Sequence, residues 1–308
     1  MTKKNCSMRP FKNYLPYIAL TTAAVIWGAN TPIMKVTMLS VPLFSLAFLR
    51  FFTASLLLLP FVYKQLHFQK KDWFSLFLCA FLGITVLITL YFFGLKLTSA
   101  LNTGIIGGTM PIITLIFAAL FLHEKMTKKI IIGAVIGMIG ILIIVGKDIM
   151  AQGLDISPMG DMLIFLSNIA FAADITLSKK LSKNYTPLAI TFFIFFVGSL
   201  FFLPGVFMDI VANPTWFINM PFFAYIGILY GILFSGLLAF GLWQYGLSKV
   251  SETNVGFFLY ISPVVTSLIA VLFLGEIITE EFFIGSALII IGLLVAEAHM
   301  YHKKPLHH

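Results

Sequence analysis

Residues 94–111, GLKLTSALNTGIIGGTMP, and residues 246–263, GLSKVSETNVGFFLYISP, lie over one another without a gap at an offset of 152. The same offset carries Asn102 onto Asn254, Gly104 onto Gly256, Pro111 onto Pro263, Glu124 onto Glu276, Gly133 onto Gly285 and Gly140 onto Gly292. A shift of 144 takes Trp27, Asn30 and Lys35 onto Phe171, Asp174 and Lys179, and near 145 Pro42 falls on Pro187. The chain is therefore read as two copies of one unit, and the relative sense of the copies decides the fold.

Composition sets the solvent in which they fold. Of 308 residues, 60% are hydrophobic and 10% charged, against about 45–50% and about 25% in an ordinary soluble domain. The 32 charged side chains are too few to cover so much apolar surface, so lipid takes the place of a core. With 33 Phe and 23 Gly spread along the whole length, a single-span receptor with a soluble domain is excluded, as are a secreted disulfide scaffold and a nucleic-acid binder. Cys6 lies in a basic tail and Cys79 in an apolar run, which argues against a disulfide or a metal site. The first apolar run is too long for a cleaved signal and lacks a small-residue cleavage site, so it reads as a retained helix.

About 20 apolar residues cross the hydrocarbon core as a helix. Ten such runs are expected, at 17–38, 43–63, 73–95, 99–121, 129–147, 159–179, 187–208, 220–246, 253–274 and 281–300. With the N-terminus in the cytosol, 16 of the 20 basic residues fall on inner segments, and only Lys96 and Lys147 on outer ones. Lys35 and Arg50 complete the set inside spans. That bias puts both termini in the cytosol, so the excess charge of +8 is topogenic and not a lipid or phosphate patch. Five spans per copy is an odd number, so the second copy enters the membrane from the opposite side. Such inverted repeats are built into secondary transporters. The expected fold is all-α: ten transmembrane helices as two inverted five-helix repeats around a central cavity. Residues 1–16 form a basic cytosolic tail, 17–147 the first repeat, 148–158 an external linker, 159–300 the second repeat and 301–308 a cytosolic tail.

The strings LFLHEKMTKKIIIGAVIGMIGILIIV (120–145) and LFLGEIITEEFFIGSALIIIGLLVA (272–296) resemble the end of an EamA-type repeat of the drug/metabolite transporter superfamily. In that repeat a helix ends in an apolar-Gly-Glu turn and the next opens with a spaced glycine. WGAN at 27–30 is similar to its first-helix signature, while His123 in place of glycine and FAAD at 171–174 depart from it. The resemblance implies a carrier of the cytoplasmic (inner) membrane with a cavity lined by both halves, moving small metabolites without ATP and without a cofactor. Members are similar to exporters of amino acids, including aromatic ones, and of other small metabolites or drugs.

Ionisable residues inside spans are the first candidates for the pathway, since a charge at the bilayer centre costs about 2.5–3.5 kcal/mol on the insertion scale. Arg50 lies roughly 10 Å below the outer edge of the second span, where a guanidinium can hold a substrate carboxylate bidentately. A structural ion pair or a snorkelling side chain is the alternative. Asp174 lies roughly 7 Å from the inner edge of the sixth span, leaving about 13 Å of vertical separation from Arg50. It is read as a site for a substrate ammonium or a coupling proton, with a local pair to Lys179 as the plainer reading. Lys35 and Glu297 stand close to span ends and are assigned no role. Asn30, near the middle of the first span, is cavity lining or an interhelical bond. Asn102 and Asn254 are read as helix caps. Trp27, Tyr91, Trp243 and Tyr260 each join a polar edge to a large apolar face and suit an aromatic or amphipathic substrate, or serve as interface anchors and filler. Pro111 and Pro263, at matched depths, are expected to bend their helices as gates.

The function expected is a secondary transporter of amino acids or related amphipathic compounds, exporting by alternating access, with the bilayer and coupling protons as its other partners. A channel or lipid scramblase on the same scaffold, or a carrier of a quaternary amine or nucleoside, is the alternative. No HExxH, P-loop or G-x-S-x-G is present, and Asp174 has no second deep carboxylate, which argues against an enzyme. The charge count predicts that an impermeant reagent added to intact cells leaves a C-terminal tag unlabelled; labelling from outside would invert the topology.

Overall fold

The computed structural model describes residues 14–122, 128–152, 156–218, 220–250 and 261–297, with 255, 258 and 259 between the last two segments. Among these residues all regular structure is helical. The helices are α1 (Leu15–Thr37), α2 (Leu43–Val62), α3 (Trp73–Ala80), α4 (Leu87–Leu97), α5 (Ala100–Gly107), α6 (Met110–Leu122), α7 (Lys128–Gln152), α8 (Ile156–Leu181), α9 (Pro187–Leu200), α10 (Leu203–Ala212), α11 (Phe222–Leu229), α12 (Ala239–Lys249), α13 (Ile261–Leu274) and α14 (Glu280–Glu297). Two π-helical segments join α3 to α4 and α11 to α12: π1 (Phe81–Val86) and π2 (Tyr230–Leu238). Under the 152 offset π1 falls inside π2, so both copies widen the same helix at the same depth.

Local signals explain several boundaries. Ser99 caps α5 by accepting the Asn102 amide at 2.8 Å, and Thr186 caps α9 with Pro187 in its first turn. Asn102 is thus not itself the cap; its Nδ2 donates to Asp161 at 3.3 Å. The start of α2, where Pro42 has no side chain to offer, is capped from outside the copy, with Ser45 N and Oγ donating to Asp209 Oδ2 at 2.7 and 2.9 Å.

Five helical segments are long and apolar enough to cross a membrane: Leu43–Gln65, Lys70–Leu97, Ala100–Phe121, Pro158–Leu181 and Phe222–Lys249. Pro187–Leu200 with Leu203–Ala212, bent by 46°, makes a sixth if counted as one span. That is fewer than the ten expected, although helix underlies the described part of every run. Particular residues account for three of the four runs not counted. Asn30, Thr31 and two prolines lower the hydropathy of α1, Glu280, Glu281 and Glu297 charge α14, and α13 has only 14 residues. Large side chains such as Phe74, Phe207, Phe222 and Phe283 point outward from the bundle, an apolar surface suited to lipid.

The packing has an exchange pattern. Helix α1 lies against α12, α13 and π2, while α8, its counterpart, lies against α4, α6 and π1. The pairs α2 with α9 and α7 with α14 are their own counterparts. The halves therefore interleave. Glycine permits the closest crossings. A Cβ on Gly94 would stand 2.8 Å from the Gly160 carbonyl oxygen, and one on Gly160 would stand 2.9 Å from that of Gly94. Gly140 and Gly292 are pressed in the same way against α14 and α7.

A lysine marks each end of this arrangement. Lys35 donates to the Thr98 carbonyl at 2.8 Å and pairs with Glu276 at 3.3 Å, and Glu276 also accepts the amides of Ala100 and Leu101 at the start of α5. Its counterpart Lys179 donates to the carbonyls of Leu247 and Val250, both at 2.5 Å. Val250 is the 152-offset counterpart of Thr98. Lys35 is thus a bridge between copies as well as an interfacial side chain. Gly160→Val is expected to force α4 and α8 apart and to destabilise the protein by about 1–3 kcal/mol, read as a lower Tm in detergent; an unchanged Tm would show that this crossing is not tight.

Candidate functional site

A cavity of about 150 Å³ opens where α1, α2, α4, α5, α8, α12, α13 and π2 converge. Such a volume lined by apolar groups accommodates a single aromatic ring. Four of the residues singled out for substrate lie on its wall: Trp27, Asn30, Arg50 and Tyr91. Pro263 lines it too. Trp243 and Asp174 stand outside it, and Tyr260 lies outside the described residues.

Arg50 supplies the charge. It is 2% exposed, its Nη2 donates to Ser235 Oγ at 3.0 Å, and Nε and Nη1 have no hydrogen-bond partner. Its guanidinium carbon lies 5.1 Å from the Phe51 ring centroid and 5.6 Å from that of Phe92. The stem lies against Gly231 in π2, where a Cβ would come within 2.7 Å of Arg50 Cδ and Nε. No carboxylate of the described residues reaches it within ion-pair distance. The structural ion pair that sequence left open for Arg50 is therefore not formed with any described residue.

Trp27 anchors the aromatic wall. It lies 5.0 Å from Phe240, 5.1 Å from Trp243 and 5.8 Å from Phe171 between ring centroids, so Trp243 supports the wall from behind at 1% exposure. The Trp27 indole N–H donates to the Ser235 carbonyl at 3.1 Å. A π-helix shifts the backbone ladder from i+4 to i+5, and within π2 the single residue Ser235 gives Trp27 its acceptor and Arg50 its hydroxyl partner. Tyr91 closes the other side, its hydroxyl 2.7 Å from Thr31 Oγ1. Asn30 is 7% exposed and its Oδ1 has no partner.

Asn168 was not singled out, though it obeys the rule that picked Asn30: a lone amide in mid-span. Its Nδ2 donates to the Ile106 carbonyl at 2.9 Å and to Thr109 Oγ1 at 3.3 Å, across the break between α5 and α6. Pro111 is the second residue of α6 and Pro263 the third of α13. The break at 108–109 thus precedes Pro111, which stands in a first turn where its missing N–H leaves nothing unpaired. Ser235 carried no sequence signal, since its counterpart is Gly83.

Asp174 sits in a second, separate polar group. It is 2% exposed, accepts Ser178 Oγ at 3.3 Å and presses on Gly83 in π1, where a Cβ would meet Asp174 Oδ1 at 2.6 Å. Cys79 contacts its carbonyl, and Gln244 donates to Ser178 at 3.2 Å. Each π segment therefore faces one buried ionisable group, Arg50 at π2 and Asp174 at π1.

Comparison with known proteins now says what carries this cavity. Residues 15–146 and 158–297 each match the model of the EamA-like transporter family, and the chain belongs to that family. It is 31% identical over 288 residues to the uncharacterized transporter YetK of Bacillus subtilis, covering 91% of this chain and 86% of that one. An uncharacterized transporter of Archaeoglobus fulgidus is 27% identical, with 94% and 99% covered, and protein PecM of Dickeya dadantii is 27% identical over 75% and 77%. A solved crystal structure superposes with a TM-score of 0.69 at 18% identity, covering 94% and 99%. This is a multi-pass membrane transporter of the drug/metabolite type, a class distinct from enzymes.

The wall makes a paired prediction. Trp27→Phe keeps the ring stack and loses the bond to Ser235, and is expected to destabilise by about 1 kcal/mol. Trp243→Phe, whose Nε1 has no partner, is expected to cost less. Thermal unfolding of the two variants measures the difference, and equal losses would remove the Ser235 carbonyl from the account.

Proposed function

We propose that the chain is a secondary carrier for a small amphipathic metabolite, an amino acid or a related compound, working by alternating access across the cytoplasmic membrane in the export direction. The observation that carries this is a cavity between the two copies whose one charged wall group among the described residues, Arg50, keeps two unpartnered nitrogens. A buried charge without a partner is costly, and a substrate carboxylate would supply that partner.

The proposal includes the finer architecture: ten spans, two inverted sets of five at 17–147 and 159–300, and cytosolic termini. The exchange of α1 and α8 contacts between halves supports it, as does the lysine contact repeated as Lys35 and Lys179. Two related halves of opposite sense give inward- and outward-open forms of comparable energy. Trp27, Asn30, Arg50 and Tyr91 contact substrate in this reading, Trp243 backs them, and Pro111 and Pro263 serve as bending points. Asp174, apart from the cavity, carries the coupling proton.

Counterflow in proteoliposomes tests the mechanism: uptake of a labelled solute should saturate and rise when unlabelled solute is preloaded, whereas a channel or scramblase shows no such stimulation. Arg50→Ala should abolish it at normal protein levels, and unchanged affinity would remove Arg50 from the site. Asp174→Asn should keep counterflow while losing the component of net flux driven by a pH gradient; retention of that component would place the coupling group elsewhere.

A further inference from the structure

Resting on the cavity as the transport site, and narrowing its substrate from amino acids to related compounds that lack the ammonium group, we infer that it selects by net charge, taking a small monocarboxylate with one hydroxyl or N–H donor in preference to a zwitterion, a cation or a nucleoside.

Arg50 is the one residue lining the cavity that is charged at neutral pH, among the described residues. The carboxylate that would hold a substrate ammonium, Asp174, packs against π1 and does not reach the wall. The site therefore carries a net charge of one sign, in surroundings that weaken solvent screening. A carboxylate placed on Arg50 Nε or Nη1 cancels it. In a zwitterion the ammonium sits close to that carboxylate and meets the same guanidinium repulsively, with no acidic group to offset it. A lone amine meets that repulsion and finds no anionic partner on the wall, and a dianion exceeds what one guanidinium neutralises.

The second polar requirement comes from Asn30. Its Oδ1 is a buried acceptor without a donor, and a buried acceptor left unpaired is destabilising. A neutral hydroxyl or N–H near the carboxylate answers it without adding charge. The aromatic wall of Trp27, Phe171 and Phe240 takes the apolar body.

Three probes that share one phenyl ring separate these charges: mandelate (−1), phenylglycine (zwitterion) and the smaller benzylamine (+1). Purified full-length protein in detergent is titrated with each by calorimetry at neutral pH. Mandelate is expected to bind about tenfold or more tightly than benzylamine, with phenylglycine between them. In Arg50→Ala the three affinities should collapse to within about threefold, and Arg50→Lys should restore part of the order. Gly107→Trp fills the cavity, since a Cβ there meets nothing closer than Pro263 at 4.0 Å, and should remove binding of all three; Gly107→Leu is the smaller variant should Trp prevent folding. Benzylamine or phenylglycine binding as tightly as mandelate, with binding lost in the Gly107 variant, overturns charge selection alone. Binding that survives a filled cavity overturns the transport site itself. A folded protein that ignores mandelate at millimolar concentration overturns the inference.

Discussion

Apolar surface gives helices no reason to leave lipid for one another, so a bundle of this composition is held by close backbone approach and by polar bonds that lipid does not offer. Everything distinctive in the structure follows from that constraint. Gly28 admits Val265 and the Ser262 carbonyl, Gly104 admits Thr266, and Gly94 and Gly160 admit each other's backbone. In every one of these crossings the partner belongs to the other copy. The cavity is the place where side chains of middling size, Thr103, Ser167 and Thr266 among them, take over from glycine and leave a gap.

Polar bonds then fix what glycine brings together. Glu276 crosses from one copy to close the first turn of α5 in the other, where free amides favour an anion. Asp209 does the same for α2. These carboxylates satisfy backbone donors that lipid would leave bare, which makes the first copy dependent on the second for the starts of α2 and α5. The π segments bond across the copies too: Ser235 of π2 accepts the Trp27 indole N–H, and Thr85 of π1 donates to the Gly198 carbonyl.

Much of this was legible in the sequence, and unevenly so. Repeats and helix positions could be read because the glycine and proline spacing is written twice at a fixed offset. Arg50, Trp27, Asn30 and Tyr91 could be placed on one wall because polarity deep in an apolar run is rare enough to signal. Ser235 was invisible, since a π turn depends on how a helix is packed and serine is common in such helices. Asp174 was read as part of the same chemistry as Arg50. The structure separates them, since which face of α8 turns toward the cavity depends on packing against π1. Linear depth does not report that rotation. A test of length and hydropathy together passes fewer segments than the ten runs, because Asn30, Thr31 and two prolines lower the hydropathy of α1 and three glutamates charge α14.

The paired indoles have a consequence outside chemistry. Trp27 and Trp243 lie 5.1 Å apart at 49°, close enough for their electronic transitions to couple, while Trp73 and Trp216 have phenylalanines as neighbours elsewhere. The strong far-ultraviolet band of indole should therefore carry an exciton couplet in circular dichroism from the Trp27–Trp243 pair at the cavity wall. The protein holds its own unlabelled optical gauge of that wall, readable in the membrane.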